Sequence, residues 1–250
     1  MKTKIPDHYP RVYSELLDML PEVETNAKDS NQDKNGSASA FLAMTHQTLG
    51  ILGFLINRDI PGFRFHLRKS AEIKSELFER SIAGAEIDAS FLTMLAYKEV
   101  FDALAAGEID IALKISSFMG KKDGGRYSQD HPFDHALGYA LKAVLEKSGE
   151  EFLSRFKIVT EKKGNINFRG YSEAFDGIYF HDAEKVKGAL NLIAEGHRRE
   201  ASRGVFRATC DRYLCVWGIG IVNLARSRNL FFNFDHPLIP DELLLNNREN

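Results

Sequence analysis

Apolar residues recur three and four positions apart along most of this chain, the spacing of one face of an α-helix. The pattern predicts a short helix over 12–20, with Val12, Leu16, Met19 and Leu20 on one face and Pro21 following its end. The stretch 22–39 is polar, with Asn-Ala-Lys-Asp-Ser-Asn-Gln-Asp-Lys-Asn-Gly-Ser at its heart, and its composition reads as a flexible loop. Helix returns over 41–57, with Phe41, Met44, Leu49, Leu52 and Leu55 expected inward. After an Asp59-Ile60-Pro61-Gly62 turn, a long amphipathic helix is predicted over 63–82, ended by Gly84.

From residue 88 the pattern becomes one of paired helices. Phe91, Leu95, Tyr97, Val100, Phe101 and Leu104 define one helix, and an Ala106-Gly107-Glu108 turn opens a second over 109–119. The segments 133–145 and 150–159, separated by Ser148-Gly149, repeat the arrangement, and 172–180 with 183–201 form a third pair. The periods are irregular and no repeat consensus runs through them, which sets the chain apart from a tetratricopeptide array. Strand patterns are confined to 166–168 and 230–234. Between 213 and 225 almost every residue is apolar, interrupted by Gly218, Gly220 and Asn223. A run that is apolar all round suits a helix buried on every side, and it is shorter than the ~20 residues needed to cross a bilayer. Arg226 and Arg228 suit its C-terminal end, and Asn229 suits the left-handed residue that stops it. The aromatic strip Phe231, Phe232 and Phe234 then leads into a tail, 230–250, expected to fold back over the core, with Pro240 opening a last helical turn. The expected architecture is all-α: a single domain over 1–250, an irregular stack of antiparallel helical hairpins around a buried C-terminal helix.

The C-terminal third also carries a family resemblance. The string LCVWGIGIVNLARSRNL followed by DHPLIPDELL resembles the end of the immunity protein 49 family. The Leu-Cys-Val-Trp-Gly start, the Asn-Leu-Ala-Arg middle and the Ile-Pro-x-x-Leu-Leu end carry the likeness. The resemblance implies an all-helical protein encoded beside a bacterial polymorphic toxin, which protects the producing cell by binding that toxin.

Composition adds limits. The 250 residues are 44% hydrophobic and 27% charged, ordinary for a globule, and 18 Phe supply bulky core material. A net charge of −2 gives no bulk attraction for nucleic acid. Cys210 and Cys215 are the two cysteines; five residues apart on the expected buried helix, they would face different ways and stay unbridged, as suits a reducing cytosol. The opening MKTKIPDHYPRVYSELLDML has no uninterrupted apolar stretch or cleavage site of a secretory signal, so the expected location is cytoplasmic, with no membrane partner.

Candidate chemistry is sparse. In Asp130-His131-Pro132-Phe133-Asp134-His135, the two histidines have the i, i+4 spacing of a shared metal. Pro132 between them makes Asp130 or His131 a helix cap instead. Phe180-His181-Asp182 could set a base beside an acid, but Asp182 reads more simply as the N-cap of the next helix. Gly120-Lys121-Lys122-Asp123-Gly124-Gly125-Arg126 lacks both the spacing and the ending of a phosphate loop. His197-Arg198-Arg199 and Arg203 read as a solvated helix end. Ser14, Ser70 and the cysteines have no activating motif beside them.

These features favour a non-enzymatic binding protein without cofactor or metal, an immunity protein whose partner is its cognate toxin. A helical-repeat adaptor and a metal-dependent helical enzyme built on 130–135 are the alternatives. The partner surface is expected at 121–134 and 165–182, where Tyr127, Phe168, Tyr171 and Tyr179 would anchor and Asp130, Asp134 and Asp176 would supply charge. Asp123, Glu173 and Asp182 are further acids there; such acids would suit a mimic of nucleic acid if the toxin were a nuclease.

Overall fold

Side-chain caps set where several helices of this chain begin. Asp59 accepts from Gly62 N–H (2.9 Å), and Pro61 fits the first turn behind it. His131 Nδ1 accepts from Phe133 N–H (3.3 Å), and Asp182 accepts from Lys185 N–H (2.9 Å), so both predicted caps are present. The computed structural model describes residues 5–120 and 130–245, and the chain is all-α, with no strand among these residues. Three helices come first: α1 (Tyr9–Lys28), α2 (Ser37–Asn57) and α3 (Ile60–Ile82). Three hairpins follow: α4 (Tyr97–Ala106) with α5 (Ile109–Phe118), α6 (Pro132–Glu146) with α7 (Glu151–Thr160), and α8 (Arg169–Tyr179) with α9 (Ala183–Arg203). The last helix is α10 (Val216–Ser227).

The N-terminal third corrects three expectations. First, α1 does not stop at Pro21 but continues to Lys28. Proline costs an internal helix bond, yet Met19, Leu20, Val23 and Ala27 pack on Leu42, Ala43 and Ile73, and that burial carries the helix through. Second, the expected flexible loop over 22–39 contracts to the turn between Lys28 and Ser37, because 22–28 and 37–39 are helical. That turn is pinned by Asp33, which is 1% exposed. Its carboxylate accepts from Ser39 N–H (3.0 Å), from the Ser39 hydroxyl and from the Arg80 guanidinium, and Arg80 also donates to the Asp33 carbonyl (2.9 Å). Composition cannot register a partner 47 residues away. Third, Phe41 and Met44 are 43% and 55% exposed, whereas Leu42, Ala43, Leu49 and Leu52 face inward. α2 is apolar on nearly all sides, so periodicity alone does not choose its buried face.

The Asp33 cluster gives an acid-stability prediction. Burial would raise the Asp33 carboxyl, but the hydrogen bonds from Ser39 and Arg80 outweigh it and hold the pKa below the ordinary value. A depressed folded-state pKa contributes stability above the unfolded value, ~4, and that stability is lost as pH falls through the folded value. Asp33→Asn should therefore cost about 1–3 kcal/mol at pH 7. The gap from wild type should close below about pH 4, as read by urea midpoints across pH. A gap that stays constant down to pH 2 would contradict this.

Further along, the single helix expected over 91–104 is three pieces. Two 3-10 turns, Ala89–Leu92 and Met94–Ala96, precede α4, because Asp88 and Thr93 cap them by accepting from Ser90 N–H (2.8 Å) and Leu95 N–H (3.2 Å). The strand candidate at 166–168 is a 3-10 turn, Ile166–Phe168, and 230–234 belongs to no helix or strand.

The expected buried helix is present, although it starts later than predicted. A 3-10 turn, Cys210–Tyr213, precedes it, so neither cysteine lies on α10. Every residue from 216 to 225 is buried. Gly220 permits close contact with α4: a Cβ there would stand 3.1 Å from Leu104 Cβ and 3.2 Å from the Phe101 carbonyl. Asn223, fully buried, joins three chain segments. Its amide donates to the Leu104 and Ala105 carbonyls (3.0 and 3.2 Å) at the end of α4, and its Oδ1 accepts from Leu245 N–H (2.8 Å). Arg226 holds the Leu245 carbonyl (2.6 Å), and Cys215 N–H donates to the Leu238 carbonyl (2.8 Å). Arg228 donates to the Val144 and Leu145 carbonyls at the end of α6, and Asn229 takes the left-handed conformation (φ 61°). The tail folds back as expected, with Leu238, Ile239, Leu243 and Leu244 buried. Pro240 precedes the 3-10 turn Asp241–Leu243, which takes the place of the expected helical turn.

Candidate functional site

A cleft of about 460 Å³ opens where α2, α4, α6, α9 and α10 converge. The start of α4 contributes Tyr97 and Lys98, and the first turn of α6 contributes Phe133 and Asp134. Phe168 comes from the turn before α8, Glu200 from the end of α9, and Phe206 and Asp211 from the loop that leads to α10. Trp217, in the first turn of α10, lies at the base and is 7% exposed.

The base is a set of mutually fixed rings. Trp217 stacks on Phe101 (centroids 5.2 Å, planes 12° apart) and meets Tyr97 and Phe206 edge-on, each at 5.3 Å. Phe133 packs on Phe168 at 4.5 Å. Aromatic pairs in these arrangements are favourable and strongly directional, so they give the cleft a rigid floor.

The walls are acidic. Tyr97 OH donates to Asp134 Oδ1 (2.8 Å), and burial, with the nearby Asp134 charge, pushes the phenol pKa well up. Burial also raises the Asp211 carboxyl, against a hydrogen bond from Thr209. Glu200 accepts from Asn167 Nδ2 (2.6 Å) and Val205 N–H (3.1 Å). Lys98 is the lysine of the rim. Behind Gln47, Asp102 is fully buried and accepts from Gln47 Nε2 and Ser70 Oγ, each at 2.9 Å; burial nonetheless raises its pKa well above the usual carboxyl value. His197 donates from Nε2 to the Asp211 carbonyl (2.8 Å) and stacks on Phe206 (4.6 Å), which fixes the loop carrying both cleft residues. The run expected to be a solvated helix end thus begins with a buried histidine, 3% exposed.

The residues nominated from sequence divide sharply. Asp134 and Phe168 line the cleft together with His131, and Asp130 sits beside it, accepting from Met94 N–H (3.0 Å). Phe168 is 7% exposed and Tyr171 is 2% exposed, so as folded they are floor and core rather than protruding anchors. Tyr171 lies against Phe101 and Trp217, because α8 turns its apolar face inward. Asp176 pairs with Lys185 (3.2 Å), and Tyr179 lines a separate hollow with Lys147, His181 and Arg228. Asp182 caps α9, and Glu173 pairs with Arg169 (3.4 Å). Tyr127 and Asp123 lie outside the described residues. Sequence reading missed Gln47, Tyr97, Lys98, Glu200, Phe206 and Asp211; it placed Trp217 in the core without seeing that its rim reaches a cleft.

Other candidate chemistry is committed to structure. His131 uses Nδ1 as its cap and His135 packs at a tilt against Tyr139 (4.7 Å), so each ring has its own partner. Among the described residues, no three His, Cys, Asp or Glu side chains are grouped to hold a metal ion. Cys210 and Cys215 are unbridged; burial pushes the Cys215 thiol up to about 12 and Cys210 higher still, which holds both in the unreactive thiol form. A hollow of about 600 Å³ over the tail is lined by Arg58, Glu242, His236 and Pro237 among others, but Arg58 already pairs with Glu242 (3.5 Å) and His236 with Arg198 (2.8 Å). No family model, curated protein or solved structure matches this chain.

Proposed function

We propose that this chain is a cytoplasmic immunity protein that neutralises a cognate toxin domain by stoichiometric binding. The resemblance of 214–230 and 235–244 to the immunity protein 49 family suggests the class. The observation that carries the binding mode is the acid-walled, aromatic-floored cleft, framed by five helices and open to solvent. A pre-formed concave site with a few placed polar groups is suited to recognition. Recognition would then extend from the cleft over the surrounding surface, since a specific complex buries about 800 Å² on each partner.

The test is co-expression with the toxin domain encoded by the adjacent gene. The expected result is a complex of fixed stoichiometry in size-exclusion chromatography with light scattering. Protection of cells should scale with the molar ratio of the two proteins, and the toxin should be recovered with unchanged mass. Protection at a small fraction of the toxin concentration, with a covalent change in the toxin, would replace this reading with an enzymatic one.

A further inference from the structure

The cleft has a charge balance that its own residues leave open. Asp134, Asp211 and Glu200 contribute three carboxyl groups to its walls, and Lys98 contributes one amine at the rim. Aromatic residues lie between them, with Trp217 at the base. A phosphate or carboxylate entering here would meet like charge, and an apolar side chain would take water from the half-buried carboxylates without bringing a donor. A flat, delocalised cation suits both parts: it can lie along aromatic rings and donate several N–H groups to carboxylates.

We propose that the cleft receives an arginine side chain of the bound partner, with its guanidinium against Asp134 and Asp211 and its stem over Trp217. This rests on the binding-protein reading above and identifies what such a partner inserts. Tyr97 OH already holds Asp134 Oδ1, which orients that carboxylate. Burial raises the Asp211 carboxyl, so an added cation facing it would recover charge that the fold disfavours.

The chain has one tryptophan, Trp217, which makes it an intrinsic reporter of occupancy. Titrating the full-length protein with N-acetyl-arginine amide should give a saturable fluorescence change, in the millimolar range expected of so small a ligand. N-acetyl-lysine amide should bind more weakly, and N-acetyl-norleucine amide should give no saturable change. Asp134→Asn keeps an acceptor for Tyr97 but removes the charge, and should weaken arginine binding about threefold. Lys98→Ala, at an exposed position, should strengthen it by a similar factor, because it removes the cleft's own competing cation. Loss of fold predicts no such gain. Equal responses to arginine and norleucine amides, lysine binding as tight as arginine, or arginine binding indifferent to Lys98→Ala would overturn the inference. The titration contains no toxin. A positive titration without cell protection removes the immunity reading alone, and protection without arginine binding removes the arginine site alone.

Discussion

Asn223→Asp is expected to lower stability by about 4 kcal/mol, among the largest effects of any single substitution in this chain. The side chain is fully buried and uses both ends: the amide donates to the Leu104 and Ala105 carbonyls, and the oxygen accepts from Leu245 N–H. Aspartate keeps the acceptor and loses the donors. It places a buried carboxylate about 3 Å from two carbonyl oxygens, where the amide had donated. For a chain of this length the loss corresponds to a fall in Tm on the order of 10 °C. Urea denaturation should show a lower midpoint with an unchanged slope. A loss below 1 kcal/mol would mean that the end of α4 and the tail are not held through this residue.

The second large effect comes from one substitution made at two places in the same helix. Gly196 and Gly188 both lie in α9. A Cβ on Gly196 would stand 1.8 Å from the Asn167 carbonyl oxygen and 2.9 Å from its carbon, whereas a Cβ on Gly188 meets nothing within 4 Å. The obstacle at Gly196 is backbone, which cannot rotate away, so α9 and the turn before α8 must separate. Gly196→Ala should cost about 3 kcal/mol or more. Gly188→Ala, exposed in mid-helix, should gain about 0.5–1 kcal/mol. The opposite signs make thermal melts of the two variants a sharp test. Equal shifts would mean that the approach of α9 to Asn167 is looser than described.

What could be read from the sequence follows from range. The α4–α5 turn, the caps at His131 and Asp182 and the all-round burial of α10 are set by residues within a few positions of one another, and pattern reading found them. The pinned turn at Asp33 depends on Arg80, and the face of α2 depends on α1 and α3; neither is a local property. The cleft is the extreme case, because Gln47, Tyr97, Asp134, Glu200, Asp211 and Trp217 come from six separate stretches of chain. Phe168 and Tyr171 are buried although their neighbours are polar; burial depends on which way a helix faces, not on the average composition around a residue. The C-terminal segment is tied together by contacts between its own two halves. Asn223 and Arg226 hold the backbone of Leu245, and Cys215 holds Leu238.

That arrangement has a consequence for how the protein is made. The helix at the centre of the molecule and the strap that fastens it are both made after the helices they close on, α1 to α9. The helices before residue 216 emerge with the site of α10 vacant, and Phe101, Leu104 and Tyr171 lack their final neighbours. At ordinary synthesis rates of about 5–20 residues per second, this unfinished state lasts for seconds. A chain stopped short of residue 245 is not trimmed at its edge: the backbone that Asn223 and Arg226 grip is missing, and the centre stays open.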